Sequence, residues 1–350
     1  MQQAQMKKTL DDWLQTPGLS GHEGEMAEKV MAAFSAAGAE VWQDELMNVY
    51  AAVGPKQGRP LVMVSAHMDE IGMMVDRIDE DGFIFFSQIG GIDPRILPAQ
   101  EVSVEGKKPL YGIIGLKPPH VTTVQERKKV LPINELAIDV GLDAEQVRAL
   151  VSPGDRIHFD APLHELSGRT VAGHTLDDRA GVLAMLEACL ALREEKLSCR
   201  MVFVTSVQEE VGTRGAKVAA YGLQPDIAIA IDVTHGKTPD APADLVFPLK
   251  NIVLTVGPNI HPKLVKEAQR IARQEKIDYE IEVEAHVTGT DADPLQISRT
   301  GIPTMLIELP LKYMHTTVET LDLKTVKDSA KLLHAIATAL GKDWEAKLCF

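Results

Sequence analysis

The chain has 350 residues, 45% hydrophobic and 25% charged, the balance of a folded protein long enough for one large domain or two smaller ones. Its 50 acidic against 36 basic side chains leave a net charge of −14, which disfavours a nucleic-acid partner, and no run of eighteen apolar residues or signal-peptide core predicts a membrane span or export. Cys189, Cys199 and Cys349 are odd in number and lack C-x-x-C spacing, which argues against a disulfide framework or thiolate zinc site and makes a reducing cytoplasm the simplest home.

Residues 20–38 read as a helix. Ser20 and Glu23 have capping-box spacing, Met26, Val30 and Phe34 recur every four residues, and Gly38 can close the end. The turn GPKQGRP leads into an apolar strand at 61–65. From about 72 to 159 the texture changes to short β-like runs, MMVDRI, FIFFSQI, EVSVEG and LYGIIGL, split by the turn signals EDG, GGIDPR and EGKKP. One short helix at 144–150, capped by Asp143, interrupts them, and the basic run ERKK at 126–129 reads as a solvated loop. This is the pattern of a small β-barrel or sandwich.

Helix and strand then alternate. A helix at 178–192 carries Val182, Met185, Leu186 and Cys189 on its apolar stripe, and strands follow at 200–207, 226–231 and 251–256. Pro262 opens a helix that buries Leu264, Val265, Ala268 and Ile271. A strand at 303–308 and a closing helix at 323–340 complete the chain. The alternation predicts an α/β fold, a sheet covered on both faces, with the β-rich segment inserted into it.

Polar residues collect where the apolar strands end. LVMVSA runs into His67-Met68-Asp69, MVFVTSVQ into Glu209-Glu210, DIAIAI into Asp232, and PTMLIELPLKYM into His315, while Asp177-Asp178-Arg179 precedes a helix. In open α/β sheets ligands bind beyond the carboxyl ends of strands. Singly, each residue has a plain structural role: Asp177 and Asp178 can cap a helix, Glu209-Glu210 can be a solvated turn, and Asp232 can begin an Asx-turn with Thr234. Together they form a metal-site inventory. Imidazole and carboxylate without thiolate suit Zn²⁺, Co²⁺ or Mn²⁺. Two histidines with four or more carboxylates exceed the needs of one tetrahedral ion and suit a bridged pair, with one carboxylate left to move protons.

HMDEIG at 67–72, LDDRAG at 176–181, VQEEVGTRGA at 207–216, IDVT at 231–234 and YMHTTVE at 313–319 resemble, in order, the motifs of the TET-type aminopeptidases, co-catalytic metallopeptidases that include glutamyl and deblocking aminopeptidases. IGGIDPRILPAQEVSV and GIIGLKPPH fit the same family. The resemblance implies a three-layer mixed-sheet metallopeptidase domain at 1–71 and 160–350 and an inserted PDZ-like oligomerisation domain at 72–159. It implies two divalent ions per subunit, zinc first, with cobalt or manganese as alternatives. His67 and Asp232 would serve one ion, Glu210 and His315 the other, and Asp177 both. Asp69 would orient the His67 ring, and Glu209 would be the general base. A free substrate α-amino group would restrict cleavage to the N-terminus, and the subunits would self-associate into a tetrahedral dodecamer acting on peptides. TGTDAD at 288–293 resembles the family's pocket-lining Gly-Thr-Asp segment but has Thr288 where a glycine is usual. His120 in KPPH is a further candidate for the cleft, and His22 in SGHEG is assigned no role.

Three other readings use the same residues. An acylase or deacetylase would use the same two metals without requiring a free α-amino group. A glycosidase would use Glu209 and Glu210 as its acid–base pair, although adjacent residues of an extended chain point apart. A peptide-binding scaffold would use the insert alone.

Overall fold

The computed structural model describes residues 1–239, 241–341 and 343–348; Cys349 lies outside them. The helices are α1 (Gln3–Leu14), α2 (Gly24–Ala36), α3 (Ala144–Leu150), α4 (Leu176–Leu192), α5 (Arg214–Leu223), α6 (Pro262–Glu275), α7 (Ala292–Gln296), α8 (Leu323–Ala339) and α9 (Trp344–Leu348). The strands are β1 (Glu40–Gln43), β2 (Val49–Val53), β3 (Leu61–His67), β4 (Gly72–Ile78), β5 (Ile84–Ile89), β6 (Glu101–Glu105), β7 (Pro109–Ile114), β8 (Ile138–Asp139), β9 (Arg156–Phe159), β10 (His164–Glu165), β11 (Thr170–Gly173), β12 (Arg200–Ser206), β13 (Ile227–His235), β14 (Ile252–Val256), β15 (Tyr279–Val283), β16 (Thr304–Lys312) and β17 (Glu319–Asp322).

One mixed sheet has the order β1-β2-β12-β3-β13-β16-β17-β11-β10, with β14 pairing β16 and β15 pairing β14. Its central strands β12, β3, β13 and β16 are parallel, as their near-continuous apolar sequences require when both faces are buried. Phe203 stacks on Phe34 of α2 on one face. Ser65 and Ser206 hydrogen-bond Asp291, at the start of α7, on the other. α4 is apolar on every side because it is enclosed by the sheet and by α1, α2 and α8. Parallel register places Ser206 beside His67 and Asp232 beside Glu308, so the polar strand ends share one rim.

Strands β4-β5-β8-β7-β6-β9 close into a barrel with its own core, including Met73, Ile84, Phe86, Val102, Val104 and Ile157. α3 carries a complete capping box between Asp143 and Gln146. Closure removes the open edges that these short strands would otherwise present.

The structure corrects the sequence reading in several places. α2 begins at Gly24, and Ser20 and Glu23 do not form a capping box. Ser20 Oγ instead donates to Asp69 at 2.6 Å, and Glu23 Oε1 accepts the amides of Gly21 and Gln208. Buried long-range partners have displaced the local bond that the spacing allows. Asp177 and Asp178 interrupt the start of α4 with non-helical torsions, and Asp178 caps the helix proper by accepting Gly181 N at 3.0 Å. β13 and β16 run on to His235 and Lys312, and α1, α5, β1, β2, β15 and β17 have no counterpart in the sequence reading.

Candidate metal centre

The chain brings His67, Asp177, Glu209, Glu210, Asp232 and His315 to one place. β3 ends in His67, β12 leads into Glu209 and Glu210, β13 carries Asp232, Asp177 stands at the broken start of α4, and His315 follows β16. Their ligand atoms fall into three groups, each within 4.8 Å: His67, Glu209 and Glu210; His67, Asp177 and Asp232; and Asp177, Glu210 and His315. Asp177 Oδ1 lies 3.1 Å from His67 Nε2, and its Oδ2 lies 3.3 Å from His315 Nε2. Glu210 Oε1 is also 3.3 Å from His315 Nε2.

Each imidazole is held at its other nitrogen. His67 Nδ1 meets the Asp69 carbonyl at 3.1 Å and the Asp69 carboxylate at 3.5 Å. The carbonyl oxygen and one carboxylate oxygen of Asp69 therefore face the ring, and the nearer one belongs to the main chain. His315 Nδ1 donates to the carbonyl of Gly91, in the barrel's β5–β6 connection, at 2.7 Å. These bonds turn both Nε2 atoms toward Asp177, to which they can donate while protonated and beside which they would offer a lone pair to a bound metal, the usual arrangement of a metal-ligating histidine and its outer partner.

Two further residues complete the frame: Glu319, which sequence reasoning missed, and Arg179, a structural member of the motif at 176–181. Glu319, 2% exposed, accepts the Asp177 amide with one carboxylate oxygen at 3.1 Å and the His315 amide with the other at 2.9 Å. It lies inside YMHTTVE, but nothing in its spacing marks it. Arg179 is fully buried and donates to the carbonyls of Trp13, Thr16 and Met68, with Glu70 Oε2 at 3.6 Å. It fixes the backbone between His67 and Asp69 from behind.

Burial sets the electrostatics. It pushes the Glu209 carboxyl up to about 10, with Asp232, Asp291 and Glu210 adding to the shift against the influence of His67. Burial and Asp232 raise Asp178 well above the carboxylate range, and burial and Asp177 do the same for Asp232. Desolvation lowers His315, but the carboxylates of Asp177 and Glu210 outweigh it and push the imidazole up to about 11. A buried crowd of carboxyls around two imidazoles calls for positive charge, and the donor set of nitrogen and oxygen without thiolate fits a borderline divalent cation such as Zn²⁺. Asp177, with its two oxygens directed to separate histidines, has the disposition of a shared ligand.

A cavity of about 510 Å³ opens onto Asp177, Glu209, Glu210, Asp232 and His315. Thr288, Gly289 and Thr290 line it, while Asp291 is buried behind them, bonded to Ser65 and Ser206. Larger cavities of about 690 and 780 Å³ elsewhere contain none of the candidate ligands, so donor chemistry and not volume selects the site. His120 is exposed and does not line the cavity, and His22 is exposed as well. Among the described residues, no helix is long and apolar enough to cross a membrane.

The sequence pattern of the M42 glutamyl aminopeptidase family matches residues 48–332. A lysyl aminopeptidase of Pyrococcus furiosus is 36% identical over 343 residues, covering 96% of each chain. Among solved structures, the aminopeptidase APDkam598 from the archaeon Desulfurococcus kamchatkensis superposes with a TM-score of 0.92 at 31% identity, covering 100% of this chain and 99% of its own. The Pyrococcus horikoshii TET1 peptidase, described as assembling into a tetrahedron or a large octahedral shell, has a TM-score of 0.85 at 33% identity, covering 96% of this chain and all of its own (100%).

Proposed function

The chain belongs to the M42 glutamyl aminopeptidase family, and from that premise we propose that it is a dinuclear metallo-aminopeptidase that removes N-terminal residues from peptides. The observation that carries the metal assignment is the placement of one carboxylate, Asp177, between His67 and His315. His67, Asp177 and Asp232 would hold one divalent ion, and Asp177, Glu210 and His315 the other, with zinc the best match to the donors. When bound, such ions polarise the scissile carbonyl and make water a stronger acid. Glu209 remains outside both sets and acts as the general base: the positive charge of bound ions would offset the burial and neighbouring carboxylates that raise it, and its carboxylate would take a proton from the attacking water and return it to the leaving amine nitrogen. Asp69 holds the His67 ring and the amides of Glu209 and Glu210.

The cavity favours a cationic first residue. Glu308 lies beside Asp232 in the parallel register of β13 and β16, accepts a hydrogen bond from Thr255, and is 6% exposed. Glu282, bonded to Thr234, and Glu284 line the same cavity. Burial and Glu282 raise the Glu308 carboxyl well above its ordinary range, so a lysine or arginine side chain among these acids would relieve their repulsion, whereas an N-terminal glutamate would add to it. The lysyl activity named for the Pyrococcus furiosus relative agrees with this choice.

Self-association, as described for the Pyrococcus horikoshii relative, would use the inserted barrel, whose loop exposes Leu116, Val121, Val124 and Val130. Release of free amino acids from a panel of aminoacyl substrates, with and without chelator and after N-acetylation, tests the reading. Activity that survives both treatments removes it. Activity on N-acetylated substrates alone selects the acylase reading, and chelator-resistant cleavage of glycosides selects the glycosidase. The Glu209→Gln protein is expected to keep its metal and lose at least about a hundredfold in kcat.

A further inference from the structure

Beyond the end of β12, four consecutive amides point away from any strand partner. Val207 N donates to Asn48 Oδ1 at 3.1 Å, Gln208 N to Glu23 Oε1 at 3.1 Å, Glu209 N to Asp69 Oδ1 at 2.9 Å, and Glu210 N to Asp69 Oδ2 at 3.2 Å. Side chains from three distant segments thus dictate the path that carries Glu209. Gln208 sits at the strained point of that path, with φ at +54°, in the left-handed region that a residue with a Cβ seldom adopts.

Glu23 is the least explained of these acceptors. It is 3% exposed and, among the described residues, has no cation within ion-pair distance. It stands at the N-cap of α2, but its side chain does not cap that helix. Its Oε1 accepts Gly21 N at 2.7 Å as well as Gln208 N, joining the N-terminal segment to the catalytic rim across 185 positions of sequence. Burying a carboxyl without a counter-ion is unfavourable unless its hydrogen bonds are used. Here they are spent on the amide of Gly21, next to the Ser20 that bonds Asp69, and on one amide beside the base.

We infer that Glu23 is a positioning residue for Glu209: by accepting the Gln208 amide it holds the left-handed turn that aims the Glu209 carboxylate into the cavity. The inference rests on the role given to Glu209 above. It assigns a task to the SGHEG segment through its glutamate and not its histidine. What matters is the acceptor oxygen, not the negative charge, so an amide in its place should serve.

The test compares Glu23→Ala and Glu23→Gln with the parent protein by hydrogen–deuterium exchange over residues 207–210, bound-metal content, and kcat and KM on a lysyl substrate. Glu23→Ala is expected to exchange faster in this segment and to lose about tenfold or more in kcat, with KM within about twofold and metal content unchanged, because small misplacements of a catalytic group are costly. Glu23→Gln is expected to restore both exchange protection and kcat. Unchanged exchange in Glu23→Ala overturns the inference. So does a Glu23→Gln protein as impaired as Glu23→Ala, or a loss of kcat that merely follows loss of metal. If the parent protein cleaves no aminoacyl substrate, the aminopeptidase reading falls, while the exchange comparison still decides whether Glu23 holds the turn.

Discussion

The carboxylate of Glu319 accepts the backbone amide of Asp177 at 3.1 Å, tying the start of β17 to the broken start of α4. Its other oxygen holds the amide of His315, so one buried side chain sets the spacing of two candidate ligands. Glu319→Ala would leave two amides without an acceptor. The expected cost is about 2–4 kcal/mol of unfolding free energy and roughly 10–100-fold weaker metal retention. Denaturant titration and metal analysis after dialysis check it. Unchanged metal retention would leave Glu319 a purely structural residue.

Metal stoichiometry separates shared from private ligands. Asp177→Ala is expected to lower the bound metal from two ions per chain to fewer than one. His315→Ala should remove one ion and leave the group of His67, Asp177 and Asp232 able to hold the other. Elemental analysis of the purified variants reads this directly. An Asp177→Ala protein that still carries two ions would end the bridging assignment.

A proton on Glu23 gives a prediction with a definite sign. Burial raises this carboxyl from its ordinary 4.5 to about 7, against the lowering effect of its backbone hydrogen bonds. The folded state therefore binds the proton more tightly than the unfolded state. Between pH 4.5 and pH 7 it holds more protons, so this group's contribution makes stability fall as pH rises through that window and then level off. Glu23→Gln removes the titration. Its gain in stability over the parent should grow from pH 4.5 to pH 7, reaching on the order of 2–3 kcal/mol. Urea midpoints at several pH values measure it, and a gain that does not grow across the window would refute it.

The acidic cavity wall is tested by exchanging its charge. Glu308→Gln combined with Glu282→Gln is expected to lower kcat/KM for lysyl substrates by about 10–100-fold while changing that for alanyl substrates little, since removing one favourable charge pair costs about 1.5–3 kcal/mol. A parent protein that prefers glutamyl over lysyl substrates would contradict the assignment before any variant is made.

The candidate ligands were legible because they break a rule that strands otherwise keep. Apolar runs at 61–64, 201–204 and 227–231 leave the polar groups that follow them conspicuous, and parallel register then collects them on one rim. The barrel was legible from its turns. Glu319 was not, because a residue that supports a ligand's backbone needs only a hydrogen-bonding group and carries no spacing of its own. Ser20 and Glu23 misled for a related reason. The S-x-x-E pattern describes two residues that can satisfy each other, and the chain folds Asp69 and Gln208 onto them instead. α1 carries a helical stripe, Met6, Leu10, Trp13 and Leu14, that the reading of the strands passed over, whereas α5 buries only the small residues Gly215, Ala216, Ala219 and Ala220, which mark a face weakly.

Gly91 belongs to the barrel, yet its carbonyl fixes the tautomer of His315. The inserted module is thus also a strut of the hydrolytic machinery, and deleting 72–159 to obtain a smaller enzyme would free that imidazole to rotate and offer either nitrogen.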